Sequence, residues 1–198
     1  MEVFLFPYMK RMLVGRILKT FLLASAFATG SFADPSQEQE KNIARANSSQ
    51  DSLLYYFDRG LEQGRKLFLK ADTLLAEGKI LSTIDSYQAS ADTLESILTH
   101  DDETNSLLYA LSGRAYFQIA KLEIDYSLKS IYFQYAEERY RNALKCNPTN
   151  PGIQRNLSFV LYDYATFLGQ IGETEKATSL KNEALALYST YITKKRTQ

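Results

Sequence analysis

Side chains that commonly carry catalysis or bind metals are scarce in this 198-residue chain, which contains one histidine, His100, and one cysteine, Cys146. Hydrolytic and metal chemistry usually needs several groups of defined type, and the sequence contains no glycine-rich phosphate loop. His100 precedes Asp101, Asp102 and Glu103, and such a cluster could collect a cation. Because the glycine and ligand spacing of an ion-binding loop are missing, we interpret it as a solvated turn.

Two further charged groups have ordinary interpretations. Glu137 and Glu138 precede Arg139 and Arg141, and these spacings are typical of local ion pairs on an exposed helix face. The basic residues 194–196 favour a solvated helix end. We therefore predict that the protein is not an enzyme and that it uses no catalytic residue, metal or cofactor.

The overall charge is balanced, with 23 basic and 23 acidic residues. Four of the basic residues and one of the acidic residues precede Asp34, which leaves 19 basic and 22 acidic residues in the remainder. A broad basic surface is the usual electrostatic mark of nucleic-acid binding. The composition therefore predicts that nucleic acid is not a partner.

The first 33 residues have the order of a secretory signal peptide. Basic residues from Lys10 to Lys19 precede an apolar run that ends at Ala28, and small residues follow. The run from Ile17 is about a dozen residues long, shorter than the ~20 that a spanning helix needs. We predict cleavage between Ala33 and Asp34, with a second site at Ala24-Ser25-Ala26. Translation begins at Met1 or, in a more typical arrangement, at Met9 or Met12.

This interpretation predicts an exported protein, periplasmic or secreted, of bacterial type. No cysteine follows the apolar run as a lipid acceptor, so we expect contact with the membrane only through the signal peptide before cleavage. The single thiol of Cys146 has no intramolecular partner for a disulfide. We expect it to be buried in a helix.

Apolar residues recur at intervals of three and four in most of the remaining chain, which is the period of an amphipathic helix. Residues 34–50 (DPSQEQEKNIARANSSQ) are polar, so we expect a flexible leader there. Six helices are predicted, from about Leu53 to Leu75, Ile80 to Leu98, Ser106 to Ile124, Ser127 to Cys146, Pro151 to Gly169 and Glu173 to Ile192. Asn150 followed by Pro151 is the clearest helix start. We predict an all-α fold of three antiparallel hairpins over residues 51–193, followed by a basic tail at 194–198.

The hairpins resemble tetratricopeptide repeats. The strongest stretch is Ala136-x3-Tyr140-x2-Ala143-x4-Pro148, which has the spacing of the second helix of such a repeat. The third hairpin is similar at Leu161, Ala165, Leu168, Gly172, Ala177 and Ala184, with Lys181 in place of the expected aromatic residue. The first is similar at Leu67, Ala71, Leu74, Gly78, Tyr87 and Ser90, with Thr83 in place of alanine. Tyr109, Gly113 and Tyr116 match the first helix of the middle hairpin if eleven extra residues are allowed.

The resemblance covers about 52–190, with spacings of 53 and 41 residues between equivalent positions rather than the ~34 of the family. It implies a short solenoid in which the first helix of each hairpin lines a groove. The residues that the resemblance places in the groove are Arg65, Phe68, Asp72, Arg114, Phe117, Gln118, Phe159 and Tyr162. Aromatic and arginine side chains are common anchors of binding surfaces, although aromatic residues at helical spacing also form cores.

Two functions fit these expectations. The first is a non-enzymatic scaffold that mediates protein–protein interaction by holding a peptide segment or an envelope complex in its groove. The alternative is a transport accessory or solute-binding protein, in which long aromatic hairpins enclose a small apolar ligand. The missing polar cap also predicts a possible homo-oligomer, because an uncapped hairpin can stack on a second copy.

Overall fold

The computed structural model describes the backbone of residues 35–99 and 101–196, and side chains from Leu54 onward except at positions 100, 194 and 196. The chain divides into two compact units, Met1–Tyr55 and Tyr56–Gln198. In the first unit, all described residues are helical. Across both described ranges the regular structure is α-helix, with no strand. The predicted all-α fold is therefore confirmed, whereas the predictions for residues 1–33 and for His100 lie outside the described residues.

Six helices are present in the described ranges. They are α1 (Pro35–Ala76), α2 (Ile80–Glu95), α3 (Asp102–Leu122), α4 (Tyr126–Cys146), α5 (Pro151–Gln170) and α6 (Thr174–Arg196). The order and pairing agree with the prediction. Helix α6 extends into the predicted basic tail, because lysine and arginine favour a helix C-terminus.

Helix α1 begins 18 residues before the predicted start at Leu53. The segment 34–50, which we expected to be a loose leader, is therefore almost wholly helical. Pro35 is the first helical residue, a position where its missing N–H costs nothing. The glutamate, glutamine, lysine, alanine and arginine residues that follow are good helix formers. Because this segment contains few apolar residues, it lacks the amphipathic pattern that predicts a helix. Its residues nevertheless have a high helix propensity.

Side chains that accept backbone hydrogen bonds begin three of the helices. The Asp101 carboxylate accepts from the N–H of Thr104 at the start of α3, so the helix begins inside the polar cluster that we interpreted as a turn. Asp125 accepts from two N–H groups at the start of α4. Asn150 does the same for α5, with Pro151 in the first turn, which confirms the predicted helix start.

The first and third hairpins turn in the same way. Gly78 has φ = 73° and Gly172 has φ = 89°, a region that glycine enters without steric cost. In both turns the residue after glycine donates its N–H to a leucine carbonyl five residues earlier, Leu74 or Leu168, over 2.9 Å. The middle hairpin has no such glycine and turns through the Asp125 cap.

Small residues let the paired helices approach closely. The Ser90 hydroxyl of α2 donates to the Gly64 carbonyl of α1 over 2.7 Å. A Cβ at Gly64 would lie 2.7 Å from Leu94 Cγ, inside van der Waals contact. In the middle hairpin, the Ser106 hydroxyl of α3 donates to the Ala143 carbonyl of α4 over 2.9 Å. These contacts hold each pair as an antiparallel hairpin.

The burial of the two outer hairpins can be compared position by position. Gly172 follows Gly78 by 94 residues, so each residue of the first hairpin is paired with the residue 94 positions later. One set of positions is buried in both hairpins and forms their internal contacts: Gly64 and Ser158, Ala71 and Ala165, Ser90 and Ala184. A second set is buried only in the first hairpin: Leu61, Tyr87, Ala91 and Leu94, against exposed Arg155, Lys181, Leu185 and Tyr188. A third is buried only in the last hairpin: Leu157, Val160, Tyr164 and Phe167, against exposed Gln63, Lys66, Lys70 and Thr73.

The middle hairpin explains this alternation. Leu61 and Leu94 pack in one cluster with Leu108 of α3, so the second set is the side of the first hairpin that the middle hairpin covers. On the other side of the middle hairpin, the Phe133 ring of α4 stacks on the Tyr164 ring of α5, with the ring centroids 5.2 Å apart. The third set is therefore the side of the last hairpin that the middle hairpin covers. Each outer hairpin therefore covers one side with the middle hairpin and leaves the opposite side to solvent.

No helix within the described ranges is long and apolar enough to cross a membrane.

Candidate functional site

The eight predicted groove residues lie on α1, α3 and α5, and we call the surface that they mark the odd-helix face. Five of them are exposed: Arg65, Asp72, Arg114, Phe159 and Tyr162. Phe68, Phe117 and Gln118 are half-buried. The structure groups some of these residues and leaves Arg65 and Gln118 outside the clusters described below.

The first cluster joins α1, α2 and α3. The Arg114 guanidinium lies over the Phe68 ring, with Cζ 4.7 Å from the centroid. Phe68 contacts the Tyr87 ring edge to face at 4.9 Å, and the Tyr87 hydroxyl donates a hydrogen bond to the Asp72 carboxylate. Three of the predicted residues therefore come together around a tyrosine that sequence reasoning had placed in the repeat core.

The electrostatics of this cluster follow from burial and charge. Burial raises the pKa of Tyr87 most strongly, and the Asp72 carboxylate raises it further, whereas the Arg114 guanidinium lowers it. Tyr87 therefore stays protonated and holds the Asp72 carboxylate in place as a donor. Arg114 is exposed, and its guanidinium forms no salt bridge with any carboxylate of the described residues.

A second arginine on the odd-helix face shares a neighbour with Arg114. Both Arg114 of α3 and Arg155 of α5 lower the pKa of Tyr140, whose side chain is 2% exposed. Burial outweighs them and raises that pKa to about 12. Two guanidinium groups from neighbouring hairpins thus lower the pKa of one buried hydroxyl.

Phe117 has a different setting. Its ring centroid lies 6.2 Å from that of Phe133, and the ammonium of Lys121 lies 5.3 Å from the Phe117 ring. The ring therefore contributes to the core on one side and carries a cation on the other. Of the predicted residues, it is the one for which the core interpretation fits best.

Phe159 and Tyr162 belong to a separate aromatic cluster on the last hairpin. The Phe159 and Tyr188 ring centroids are 5.9 Å apart. The Lys181 ammonium lies 5.7 Å from the Tyr162 centroid, and the Arg155 Cζ lies 5.7 Å from the Tyr191 centroid. Sequence reasoning missed the contribution of α6, although Tyr188 is three residues before Tyr191 and seven after Lys181, which is a helical spacing.

The opposite surface, formed by α2, α4 and α6, is the even-helix face, and its arginines are paired. Arg139 binds Glu95 of α2 through two hydrogen bonds of 2.6 and 3.0 Å. Arg141 binds Glu183 of α6 through two hydrogen bonds of 2.8 Å each. These ion pairs connect successive hairpins.

This pairing corrects our interpretation of residues 137–141 as a face with only local ion pairs. The local pairs exist, since Glu138 contacts Arg139 and Glu137 contacts Arg141 at 2.9 Å. The partners in α2 and α6 are 44 and 42 residues away, so no local spacing could reveal them.

No set of three His, Cys, Asp or Glu side chains in the part of the chain that the structure describes could hold a metal ion. Cys146 is half-buried rather than buried, because it lies at the last residue of α4. Burial raises the pKa of the Cys146 thiol, and the neighbouring Asp102 carboxylate raises it further, which disfavours the nucleophilic thiolate.

An open depression of about 450 Å³ lies near the start of α4. Its lining residues are Tyr126, Ser127, Ser130, Ile131 and Ile171. None of the predicted groove residues lines it. The volume is within the ~300–1,000 Å³ of small-molecule sites, but such sites enclose most of the ligand.

Comparison with protein-family models and with curated proteins identified no relative of this chain. No protein-family model matches the chain, and no curated protein has a significantly similar sequence.

Proposed function

We propose that this protein is a tetratricopeptide-like helical-repeat scaffold that binds a segment of another protein and performs no chemistry of its own. The alternation of burial between the first and last hairpins supports the repeat interpretation. Stacked repeats bury each face only against a neighbouring repeat, and the 94-residue comparison has that pattern. The identical glycine turns support it as well.

The arrangement of Arg114, Phe68, Asp72 and Tyr87 is the observation that carries the binding function. It places the guanidinium of an exposed arginine on an aromatic ring, and in the same cluster Tyr87 holds the Asp72 carboxylate through a hydrogen bond. Stacked arginine and aromatic side chains are frequent anchors of protein interfaces. Because the cluster uses residues from three helices, it forms only when the first two hairpins stack.

Export forms part of the proposal. Residues 1–33 have the order of a signal peptide, and we infer that the protein acts in the periplasm or outside the cell after cleavage at Ala33. The mass of the protein purified from its host tests this point. A mature N-terminus at Asp34 supports export, and retention of the first 33 residues contradicts it.

Affinity capture from the native envelope tests the binding function. The protein, in the form that its host produces, is used as bait, and captured proteins and small molecules are both identified. We expect a protein partner that Arg114→Gln releases. Arg59→Gln is the matched control, since Arg59 is exposed and lies nine residues before Phe68, on the opposite side of α1 at about 100° per residue. Equal capture by both variants would contradict the proposal.

Binding of a small apolar ligand is the second candidate function, and the depression beside Tyr126 favours it. In that case a small molecule would be captured without a protein. The ligand would also raise the thermal stability of the protein when added back, as any ligand specific for the native state does. Substitution of Ser130 by leucine would reduce that effect by filling the depression.

A further inference from the structure

The two exposed ends of the hairpin stack differ in chemistry. The outward side of the first hairpin is mostly polar, with exposed Gln63, Lys66, Lys70 and Thr73 and one exposed leucine, Leu69, beside them. A mostly polar outer side is what a terminal repeat needs when nothing stacks on it. The outward side of the last hairpin presents Leu185, 54% exposed, and Tyr188, 40% exposed, together with Phe159 and Tyr162, which are 47% and 44% exposed. We call this second surface the C-terminal aromatic face.

The first hairpin shows what covers such a side. Leu94 occupies the position equivalent to Tyr188 and is 1% exposed, because α3 lies against it and contributes Leu108 to the same apolar cluster. Ala91, equivalent to Leu185, is fully buried. An amphipathic helix with an apolar stripe is therefore the element that closes this side of a hairpin.

The charges around the C-terminal aromatic face indicate whether its partner is a second copy of the chain or another protein. Arg155 and Lys181 border the C-terminal aromatic face, each stacked on an aromatic ring at 5.7 Å. Neither forms a salt bridge with another described residue, and Glu183 is already bound to Arg141. Two copies meeting through this face would bring like charges to one interface, since a two-fold contact uses the same patch twice.

We propose that the C-terminal aromatic face docks an amphipathic helix of another protein, with an apolar stripe over Leu185 and Tyr188 and acidic residues facing Arg155 and Lys181. Such a helix takes the place that α3 takes on the first hairpin. Opposite charges at the edge of an interface fix its register and its partner. Phe159 and Tyr162 belong also to the odd-helix face, but Leu185, Tyr188 and Lys181 lie on α6, outside the cluster of Arg114, Phe68, Asp72 and Tyr87. Substitutions in α6 therefore test this proposal separately from the binding function of that cluster.

A synthetic helix tests the proposal on the protein as its host produces it. The fluorescent peptide carries leucines along one stripe with glutamates beside it, and its partner peptide carries lysines in place of the glutamates. Fluorescence anisotropy should show about tenfold tighter binding of the glutamate peptide, the ratio for ~1.4 kcal/mol. Lys181→Glu should reduce or invert that preference. Equal affinities for both peptides, or no binding of either, would overturn the proposal.

Paired substitutions locate the binding site. Leu185→Gln with Tyr188→Ser should weaken the glutamate peptide about tenfold, and because both side chains are exposed the protein should remain folded. Leu69→Gln with Leu81→Gln is the matched control, since these leucines are 64% and 80% exposed elsewhere on the surface. Equal loss in both pairs contradicts the assigned location.

Two other outcomes also overturn the proposal. Loss of peptide binding in Arg114→Gln alone would assign the peptide to the cluster around Arg114. A dimer seen by light scattering and abolished by Tyr188→Ser would assign the C-terminal aromatic face to a second copy. A monomer that binds the glutamate peptide through Leu185 and Tyr188 is the expected result.

Discussion

Arginine has different roles on the two faces of the hairpin stack. On the even-helix face, Arg139 and Arg141 each bind a glutamate of a neighbouring hairpin through two hydrogen bonds. On the odd-helix face, Arg114 and Arg155 lie on aromatic rings without a salt bridge to any described carboxylate. Paired arginines fix the position of one hairpin on the next, whereas a stacked arginine such as Arg114 keeps its hydrogen-bond donors available to a partner. Arg155 is intermediate, since it donates to the Asn156 side-chain oxygen over 3.4 Å.

The physical reason is the number of donors that remain free. A guanidinium bound side-on by a carboxylate has used its planar fork, so it can offer little to another molecule. A guanidinium that stacks on a ring keeps its five N–H groups in the plane. Substitutions should therefore separate the faces, with loss of stability on the even-helix face and loss of binding on the odd-helix face.

The largest change in stability is expected for Arg139→Gln. The side chains of Arg139 and Glu95 are only 20% and 22% exposed, so the substitution leaves a carboxylate partly buried without its partner. We expect a loss of ~2 kcal/mol, between the values for surface and buried ion pairs. Urea unfolding measures it, and a double-mutant cycle with Glu95→Gln isolates the pair. Additive effects in the cycle would show that the pair contributes nothing.

Arg141→Gln should have a smaller effect of the same kind. Both Arg141 and Glu183 are 39% exposed, so water screens this pair and can solvate Glu183 when Arg141 is replaced. The substitution also removes the local contact with Glu137, whose side chain is 20% exposed. We expect a loss of ~1 kcal/mol or less, and less still at high salt. The urea midpoint at low and high salt measures the difference. A loss as large as that of Arg139→Gln would break the proposed relation between burial and contribution.

Arg114→Gln should change stability by no more than ~0.5 kcal/mol, as is usual for surface positions. Arg114 is exposed and its contact with Phe68 is a stacking contact. The same variant should lose the captured partner, as described above. A large loss of stability would instead make Arg114 a structural residue like Arg139, and the distinction between the faces would disappear.

The smallest expected effect is on the titration of Tyr140. Arg114 lowers its pKa, and burial raises it to about 12 from the ordinary value near 10. A raised native pKa stabilises the fold fully below about pH 10, and this contribution is lost as the pH rises towards 12. As the pH rises from about 10 towards 12, the Tyr140→Phe variant should therefore lose less stability than the parent protein. Arg114→Gln should move the tyrosinate absorbance of Tyr140 to still higher pH, and a downward shift would contradict the assigned proximity.

Much of the fold could be predicted because its signals are local. Apolar periodicity predicted six helices, and the Asn150–Pro151 signal predicted the start of α5 to the residue. Where the signal was absent the prediction was wrong: residues 35–50 lack an apolar stripe but consist largely of helix formers, and α1 includes them. The start of α3 was also missed, because a polar cluster with Asp101 as its cap has the composition of a turn.

The candidate site was predictable only in part. The resemblance to tetratricopeptide repeats brought Phe68, Asp72 and Arg114 onto one face, and the structure gathers them around Tyr87. Arg65 and Gln118 stay outside the cluster, and Phe117 packs partly into the core. Lys181 replaces the aromatic residue that the repeat pattern expects, and it is exposed. Tyr87, in the equivalent position of the first hairpin, is buried beneath the hairpin that follows.

The sequence by itself determined the helical class, the hairpin order and the scarcity of catalytic groups, because periodicity, capping and residue inventory depend on neighbours a few positions apart. Only the tertiary structure decided which charges are paired and which apolar residues remain exposed. Arg139 and Arg114 both lie inside helices of 21 residues, yet one meets Glu95 from another hairpin and the other meets a ring. Such contacts join residues more than forty positions apart, and their formation depends on which hairpin stacks on which side.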